Sequence, residues 1–226
     1  MKPEPGSAAY FDNWYADMTT SPLQDEIQQR HLGLPPQLLS TSLLPWDGIA
    51  EVVAALRLSD GGTLVDLACG RGGYGLEIAS RTGARLAGVD LAATGLHAGS
   101  AGGVLCVDAI QFAAQPEAAY TEMRRILAPG GRAVLTGWEP RDPGDERLPA
   151  RLARVDLAAG LSGAGFGEVQ VRDRPDWRAG ERAMWAEVAA LDPGTDPGLI
   201  AFREEALQAP MIDELTRRVM ATATAP

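Results

Sequence analysis

The sequence predicts an α/β fold in which a doubly wound, mostly parallel sheet carries helices on both faces. Short apolar runs alternate with segments of helical periodicity, which is the pattern of repeated strand–helix units. A glycine-rich turn follows the first clear apolar run. Of the 226 residues, 46% are hydrophobic and 22% are charged, as expected for an ordinary folded domain with a substantial core.

The elements of this fold can be placed in order along the chain. Buried strands are predicted at 63–68, 85–89 and 104–107, because each is a short, continuous apolar run. A helix from 74 to 81 follows the glycine-rich turn, and Pro116 opens a second helix that runs to 127. The remaining predictions are a strand at 132–138 after Pro129-Gly130-Gly131, a helix at 150–161, a strand at 167–172, mostly helix over 177–215, and a final antiparallel strand at 218–224.

Three segments of the chain are expected to serve different purposes within one structural domain. Residues 1–60 form a helical lid or cap, residues 61–172 form the sheet-containing core, and residues 173–226 form a second helical cap and the final strand. Aromatic residues near the start of the chain either close over a ligand or pack as an ordinary helix on the core: Tyr10, Phe11, Trp14 and Tyr15.

Charge and composition exclude several classes of function. The net charge of −10 repels phosphate backbones, so we expect no nucleic-acid partner. We also expect no membrane partner, because no apolar run approaches the roughly 18 residues of a membrane helix. Cys69 and Cys106 lie in apolar stretches interpreted as strands, and two buried thiols favour a reducing cytoplasm. His31 and His97 have no partners at metal-ligand spacing, so no metal site is predicted.

The stretch with the clearest chemistry is a G-x-G-x-x-G turn between a strand and a helix. Gly70, Gly72 and Gly75 allow the backbone to turn tightly and to lie against a ligand. Asp90 follows Gly72 by 18 residues, at the end of the next strand, where an acid accepts hydrogen bonds from ribose hydroxyls. This Rossmann-like pattern predicts a nucleoside-containing cofactor but does not choose between NAD and S-adenosylmethionine.

Asp66 favours the second of these cofactors. It lies four residues before Gly70, so its carboxylate would repel a dinucleotide pyrophosphate at short range. The same carboxylate would attract the ammonium group of a methionine moiety. A capping or salt-bridged aspartate is the other interpretation of this position.

Three motifs make the chain resemble the class I S-adenosylmethionine-dependent methyltransferases of the small-molecule type. Residues 65–72 (VDLACGRG) resemble the family's acid-x-G-x-G-x-G loop, with Ala68 in place of the first glycine. Residues 104–112 resemble the family's fourth strand and the loop that lines the cofactor. Residues 122–131 (EMRRILAPGG) are similar to the R-x-L-x-P-G-G turn into the fifth strand, and the resemblance covers nearly all of the chain.

The resemblance implies roles for individual residues. Gly70 and Gly72 would pack against the amino-acid and ribose portions of S-adenosylmethionine or S-adenosylhomocysteine, and Asp90 would bind the ribose hydroxyls. Asp108 and Ala109 would line the methionine side near the sulfonium. The full predicted cofactor site consists of Asp66, Ala68, Cys69, Gly70, Gly72, Asp90, Leu91, Asp108 and Ala109.

The connection after Asp90 is too short for this family. Only about a dozen residues separate Asp90 from the next strand, whereas a strand–helix–strand crossover takes roughly 30 residues. We therefore expect the family's third strand and its helix to be absent from this sequence. Asp90 is then either the ribose acid of the second strand or an acid that meets the adenine amino group, and we favour the first.

The sequence says less about the methyl acceptor. His31 is a candidate general base because it lies in the predicted lid, although a histidine without a catalytic role is the commoner case. Tyr15, Trp46, Phe112 and Trp138 are candidates for the acceptor pocket or for the core. We expect in-line methyl transfer to an O, N or C atom of a small molecule, in natural-product biosynthesis, and leave the oligomeric state open, with a homodimer as one case. An NAD(P)-dependent oxidoreductase and a non-catalytic methyltransferase-like domain are the alternatives.

Overall fold

The computed structural model describes residues 11–13, 16, 21–90 and 94–226. Six strands lie in this part of the chain: β1 (Thr63–Leu67), β2 (Arg85–Val89), β3 (Ala101–Val107), β4 (Leu127–Pro140), β5 (Gly167–Asp173) and β6 (Thr216–Thr224). The helices of the same part are α1 (Pro22–Leu32), α2 (Trp46–Leu56), α3 (Gly73–Thr82), α4 (Pro116–Ile126), α5 (Ala150–Ala153), α6 (Leu157–Gly163), α7 (Arg178–Ala190) and α8 (Pro197–Leu215). Short 3₁₀ turns occur at Ile110–Phe112 and Pro175–Trp177.

The six strands form one sheet in the order β2-β1-β3-β4-β6-β5. Strands β1 to β4 are parallel, with β1 between β2 and β3, while β6 is antiparallel to both of its neighbours. The predicted α/β fold with a mostly parallel sheet is therefore confirmed, including the antiparallel strand at the end of the chain.

Helices cover both faces of the sheet, because successive strand residues bury their side chains on opposite sides. Leu64 and Leu105 join the apolar cluster on the face covered by α2, α3, α7 and α8. Val65 and Val104 join the cluster on the face covered by α4 and α6. The first cluster contains residues from both predicted caps and from the sheet, so the caps share the main core.

Three local predictions need correction. The helix predicted at 150–161 is split into α5 and α6, because Asp156 leaves the helix and caps α6 by accepting the N–H of Ala159 at 2.8 Å. β4 begins at Leu127 rather than after the Pro-Gly-Gly turn, and its pairing with β3 shifts register there. Cys69 lies in the turn after β1 and is half-buried, not in a strand.

The short connection between β2 and β3 runs along α4. Arg125 of α4 donates to the carbonyl of Leu96 at 2.8 Å, and the N–H of Gly99 donates to the carbonyl of Arg125 at 3.0 Å. Among the described residues, β2 is the outer strand of the sheet on this side. Residues 91–93, near the start of the connection, lie outside the described residues.

Candidate functional site

In the glycine loop between β1 and α3, every second residue adopts left-handed backbone. Ala68, Gly70 and Gly72 have φ values of 54°, 49° and 78°. The loop is closed by the N–H of Gly72, which donates to the carbonyl of Cys69 at 2.8 Å. Left-handed backbone is easy for glycine but strained for alanine, so the loop keeps its shape at Ala68 at a cost in conformational energy.

Asp66 lies behind this loop and contacts the start of α3. It is 4% exposed, and its carboxylate lies against the backbone of Gly75 in the first helical turn. A Cβ at Gly75 would collide with that carboxylate, so a glycine is required there. Burial raises the pKa of Asp66 from 3.8 to about 7, and the nearby Asp90 carboxylate also raises it.

The N-terminal part of the chain packs against the glycine loop. Arg71 of the loop donates to Asp25 of α1 at 2.6 Å. The Tyr74 hydroxyl donates to the carbonyl of Leu44 at 2.7 Å, and the Leu43 N–H donates to Asp108 at 2.8 Å. The loop is thus held on one side by β1 and on the other by the segment that was predicted to be a lid.

A cavity of about 1900 Å³ begins at the carboxyl ends of β1, β2 and β3 and extends to α7 and α8. In open α/β sheets, ligands bind at this edge. Six of the predicted site residues line it: Ala68, Asp90, Asp108, Ala109, Phe112 and Trp138. Asp66, Cys69, Gly70 and Gly72 lie beside it, in and next to the glycine loop, whereas the predicted Leu91 and Tyr15 fall outside the described residues.

His31, the candidate base, is not among the residues that line this cavity. Its Nε2 lies 2.7 Å from an Oε atom of Glu187, so it joins α1 to α7. Trp46, a candidate for the acceptor pocket, also lies elsewhere: the Arg81 guanidinium stacks 4.2 Å from the centre of its ring. The structure therefore favours structural roles for both residues.

A buried group of charges lies beside the cavity, and two of its members, Asp108 and Glu181, line it. The Asp108 carboxylate accepts hydrogen bonds from two nitrogens of Arg218, at 2.5 and 2.9 Å, and from the Thr136 hydroxyl at 2.7 Å. Arg218 is 1% exposed, and its guanidinium lies 4.2 Å from the centre of the Trp138 ring. The second carboxylate beside Arg218 belongs to Glu181 of α7, at 2.9 Å.

Sequence reasoning missed Glu181 and Arg218. Neither belongs to a motif, and they reach Asp108 from a cap helix and from the last strand. Asp108 was predicted to line the methionine side of the cofactor, a role that stays a prediction, and its carboxylate is already engaged by Arg218. The sequence did carry one signal, because an arginine inside an apolar strand needs a buried carboxylate partner.

Comparisons with known proteins were made on both sequence and structure. Residues 93–135 match the family model described as a methyltransferase domain, which spans β3, α4 and the start of β4. A comparison with curated protein sequences finds no match. Among solved structures, phosphoethanolamine N-methyltransferase 2 of Haemonchus contortus is 16% identical with a TM-score of 0.70. That match covers 96% of this chain, and the chain spans 60% of that enzyme.

Two further structures are similar over most of their own length. The [4+2]-cyclase SpnF has a TM-score of 0.65 at 17% identity, with coverage of 92% of this chain and 94% of SpnF. Geranyl diphosphate C-methyltransferase of Streptomyces coelicolor A3(2) has a TM-score of 0.58 at 19% identity, with coverage of 80% and 79%. This chain has the class I methyltransferase fold. The fold and the family resemblance predicted from the sequence are confirmed.

Proposed function

We propose that the protein is an S-adenosylmethionine-dependent methyltransferase that acts on a small-molecule acceptor. The observation that carries this proposal is the position of the Asp66 carboxylate, which belongs to β1 and lies against the first turn of α3. A dinucleotide-binding domain uses the free N–H groups of that helical turn to bind a pyrophosphate. Here the Asp66 carboxylate lies against that turn at Gly75, so a pyrophosphate bound there would meet a carboxylate at short range.

The electrostatics of the loop favour a cationic cofactor. The Asp90 carboxylate is close enough to disfavour the charge on Asp66. Burial raises the pKa of Cys69, and the carboxylates of Asp66 and Asp90 raise it further. A sulfonium and an ammonium group would relieve this repulsion, whereas a pyrophosphate would add to it. This argues against the alternative of an NAD(P)-dependent oxidoreductase.

The residues present fit S-adenosylmethionine. The left-handed backbone at Ala68, Gly70 and Gly72 provides a loop without bulky side chains, and the cavity beside it reaches Asp90, the proposed ribose ligand. When bound, this cofactor supplies an electrophilic methyl group on a good leaving group. The chain's part is to hold an acceptor in line with that methyl group and to exclude water.

The similarity to SpnF supports a second candidate, a reaction other than methyl transfer on the same fold. SpnF is described as a [4+2]-cyclase, and its similarity covers nearly the whole of both chains. A non-catalytic role is the third case. The cavity favours an organic small molecule in all of them, because apolar side chains line much of it.

Mass spectrometry can separate these functions. The protein is incubated with S-adenosylmethionine and a panel of phenols, amines and polyketide-like scaffolds, and we expect one product to gain a methyl group while S-adenosylhomocysteine accumulates. Gly70→Val is the inactive control, since valine does not easily adopt the left-handed backbone of the loop at this position and would change the loop's shape. A compound that is rearranged without gaining mass would instead indicate a cyclase. If no compound of the panel changes, the result contradicts the proposal that the protein is an enzyme acting on compounds of these classes.

A further inference from the structure

The cavity extends well beyond the glycine loop into a compartment between α7, α8 and the carboxyl ends of β3 and β4. Aromatic rings surround it, with Trp185 and Phe202 in edge-to-face contact at 5.3 Å. Small side chains of the two helices leave room between the rings: Ala186, Ala189, Ala206 and Ala209. The whole cavity exceeds the roughly 300–1,000 Å³ of a typical single-ligand pocket, so space remains for a bulky apolar acceptor beside a cofactor.

One carboxylate in this apolar wall is incompletely paired. Glu181 is 4% exposed and lines the cavity. Its Oε1 lies 2.9 Å from Arg218 Nε, but in a geometry that makes no hydrogen bond for either atom. Its Oε2 accepts the Trp138 indole N–H at the long distance of 3.4 Å. Oε1 is shut off from the cavity, so a ligand would donate to Oε2, whose one hydrogen bond is long and which can accept a second.

The neighbouring charges explain why Arg218 does not satisfy Glu181. The guanidinium gives two of its nitrogens to Asp108, at 2.5 and 2.9 Å. Arg178, one turn before Glu181 on α7, donates instead to Asp213 and to the Thr216 hydroxyl. Two carboxylates therefore share one buried cation at this point, which leaves either a negative charge or a proton on the cavity wall.

We propose that Glu181 binds the hydroxyl or amine of a bulky, ring-containing apolar acceptor and takes up the proton that this group loses. The proposal rests on the proposed methyltransferase function. The acceptor oxygen or nitrogen exchanges its proton for the methyl group, the electron pair of the broken carbon–sulfur bond stays on sulfur, and the proton moves to a Glu181 oxygen. Burial and the Asp108 carboxylate raise the pKa of Glu181 to about 7, although Arg218, Arg178 and the Trp138 N–H act to lower it. A pKa near 7 suits a general base that works near neutral pH.

A matched pair of probes tests this assignment by binding alone. The probes are 2-naphthol and 2-methoxynaphthalene, which share a ring system but differ in the hydrogen-bond donor. Calorimetry at about pH 8 compares the wild type with Glu181→Gln and with Glu204→Gln, an exposed carboxylate at the cavity wall that serves as the control. Titration with S-adenosylhomocysteine is run in parallel, because its failure would count against the proposed function and not against the naphthol result.

We expect the wild type to bind 2-naphthol about tenfold or more tightly than its methyl ether, because hydrogen bonds to charged groups are the stronger ones. Glu181→Gln should lose most of this preference, while Glu204→Gln should keep it. The wild-type affinity for 2-naphthol should also rise between pH 6 and 8 as Glu181 ionises, and this rise should disappear in Glu181→Gln. Equal affinity for the two probes, an unchanged preference in Glu181→Gln, or no binding of either probe at millimolar concentration would overturn the proposal.

Discussion

The two ends of the cavity hold charge in different ways. At the glycine loop, backbone and one buried carboxylate form the site, and Asp66 lies against the first turn of α3, within its own strand–helix unit. Towards α7, Arg218 of β6 is fully paired with Asp108, which directly follows β3, and incompletely paired with Glu181 of α7. The first arrangement suits a fixed cofactor, and the second can be varied by changing a few side chains to suit different acceptors.

The largest expected effect is a loss of stability when Arg218 is removed from the buried group that it forms with Asp108 and Glu181. Arg218→Met would leave Asp108 and Glu181 buried without their cation, and we expect it to lower the free energy of unfolding by about 3–5 kcal/mol. Arg172→Met, at an exposed position of β5, is the control and should change stability by less than about 0.5 kcal/mol. Denaturant unfolding measures both, and a loss at Arg218 no larger than at Arg172 would show that this charge group contributes little.

At the glycine loop, we expect the buried Asp66 carboxylate to make the free energy of unfolding depend on pH. Because the folded-state pKa of Asp66 is raised from 3.8 to about 7, its stabilising contribution is complete below about pH 4 and is lost as the pH rises through 7. Asp66→Asn should therefore gain stability relative to the wild type between about pH 5 and 8, by roughly 2–4 kcal/mol. Asp192→Asn, at an exposed position, is the control. If the wild type and both variants show parallel curves of unfolding free energy against pH, then burial does not raise the pKa of Asp66.

The contrast also explains what the sequence could predict. The glycine loop, Asp66 and Asp90 lie within 25 residues of one another in strand–turn–helix–strand order, so local patterns were sufficient to find them. Arg218 is 110 positions from Asp108, and its role depends on β6 entering the sheet beside β4. The antiparallel strand itself was predicted from its β-branched residues, but the contacts of its side chains follow from tertiary packing that no local pattern contains.

His31 and Trp46 show that residue type alone also predicts little about function. Both are residue types that often serve in active sites, and both lie near the predicted cap. The structure pairs His31 with Glu187 and stacks Arg81 on Trp46, so that each joins one helix to another. Residue type and approximate position were therefore not enough to assign a role without knowledge of the partner.

The smallest expected effect concerns the strain in the loop. Ala68→Gly should raise the free energy of unfolding by about 0.5–1 kcal/mol, because glycine adopts the left-handed conformation more readily. Ala79→Gly in α3 is the matched control and should lower it by about 1 kcal/mol. If both variants lose stability equally, the backbone at Ala68 is not strained.

Binding of the cofactor itself tests the account most directly. Isothermal titration of the wild type with S-adenosylhomocysteine and with NADH compares the two nucleoside ligands at one site, and Gly70→Val shows whether binding uses the glycine loop. We expect S-adenosylhomocysteine to bind with a Kd of about micromolar or lower, and NADH to bind at least about a hundredfold more weakly. Gly70→Val should bind neither, and its melting temperature should fall, because valine is strained in the left-handed backbone at this position while the rest of the fold is unchanged. Tighter binding of NADH, or unchanged S-adenosylhomocysteine binding in Gly70→Val, would contradict the assignment of this loop to a methyltransferase cofactor.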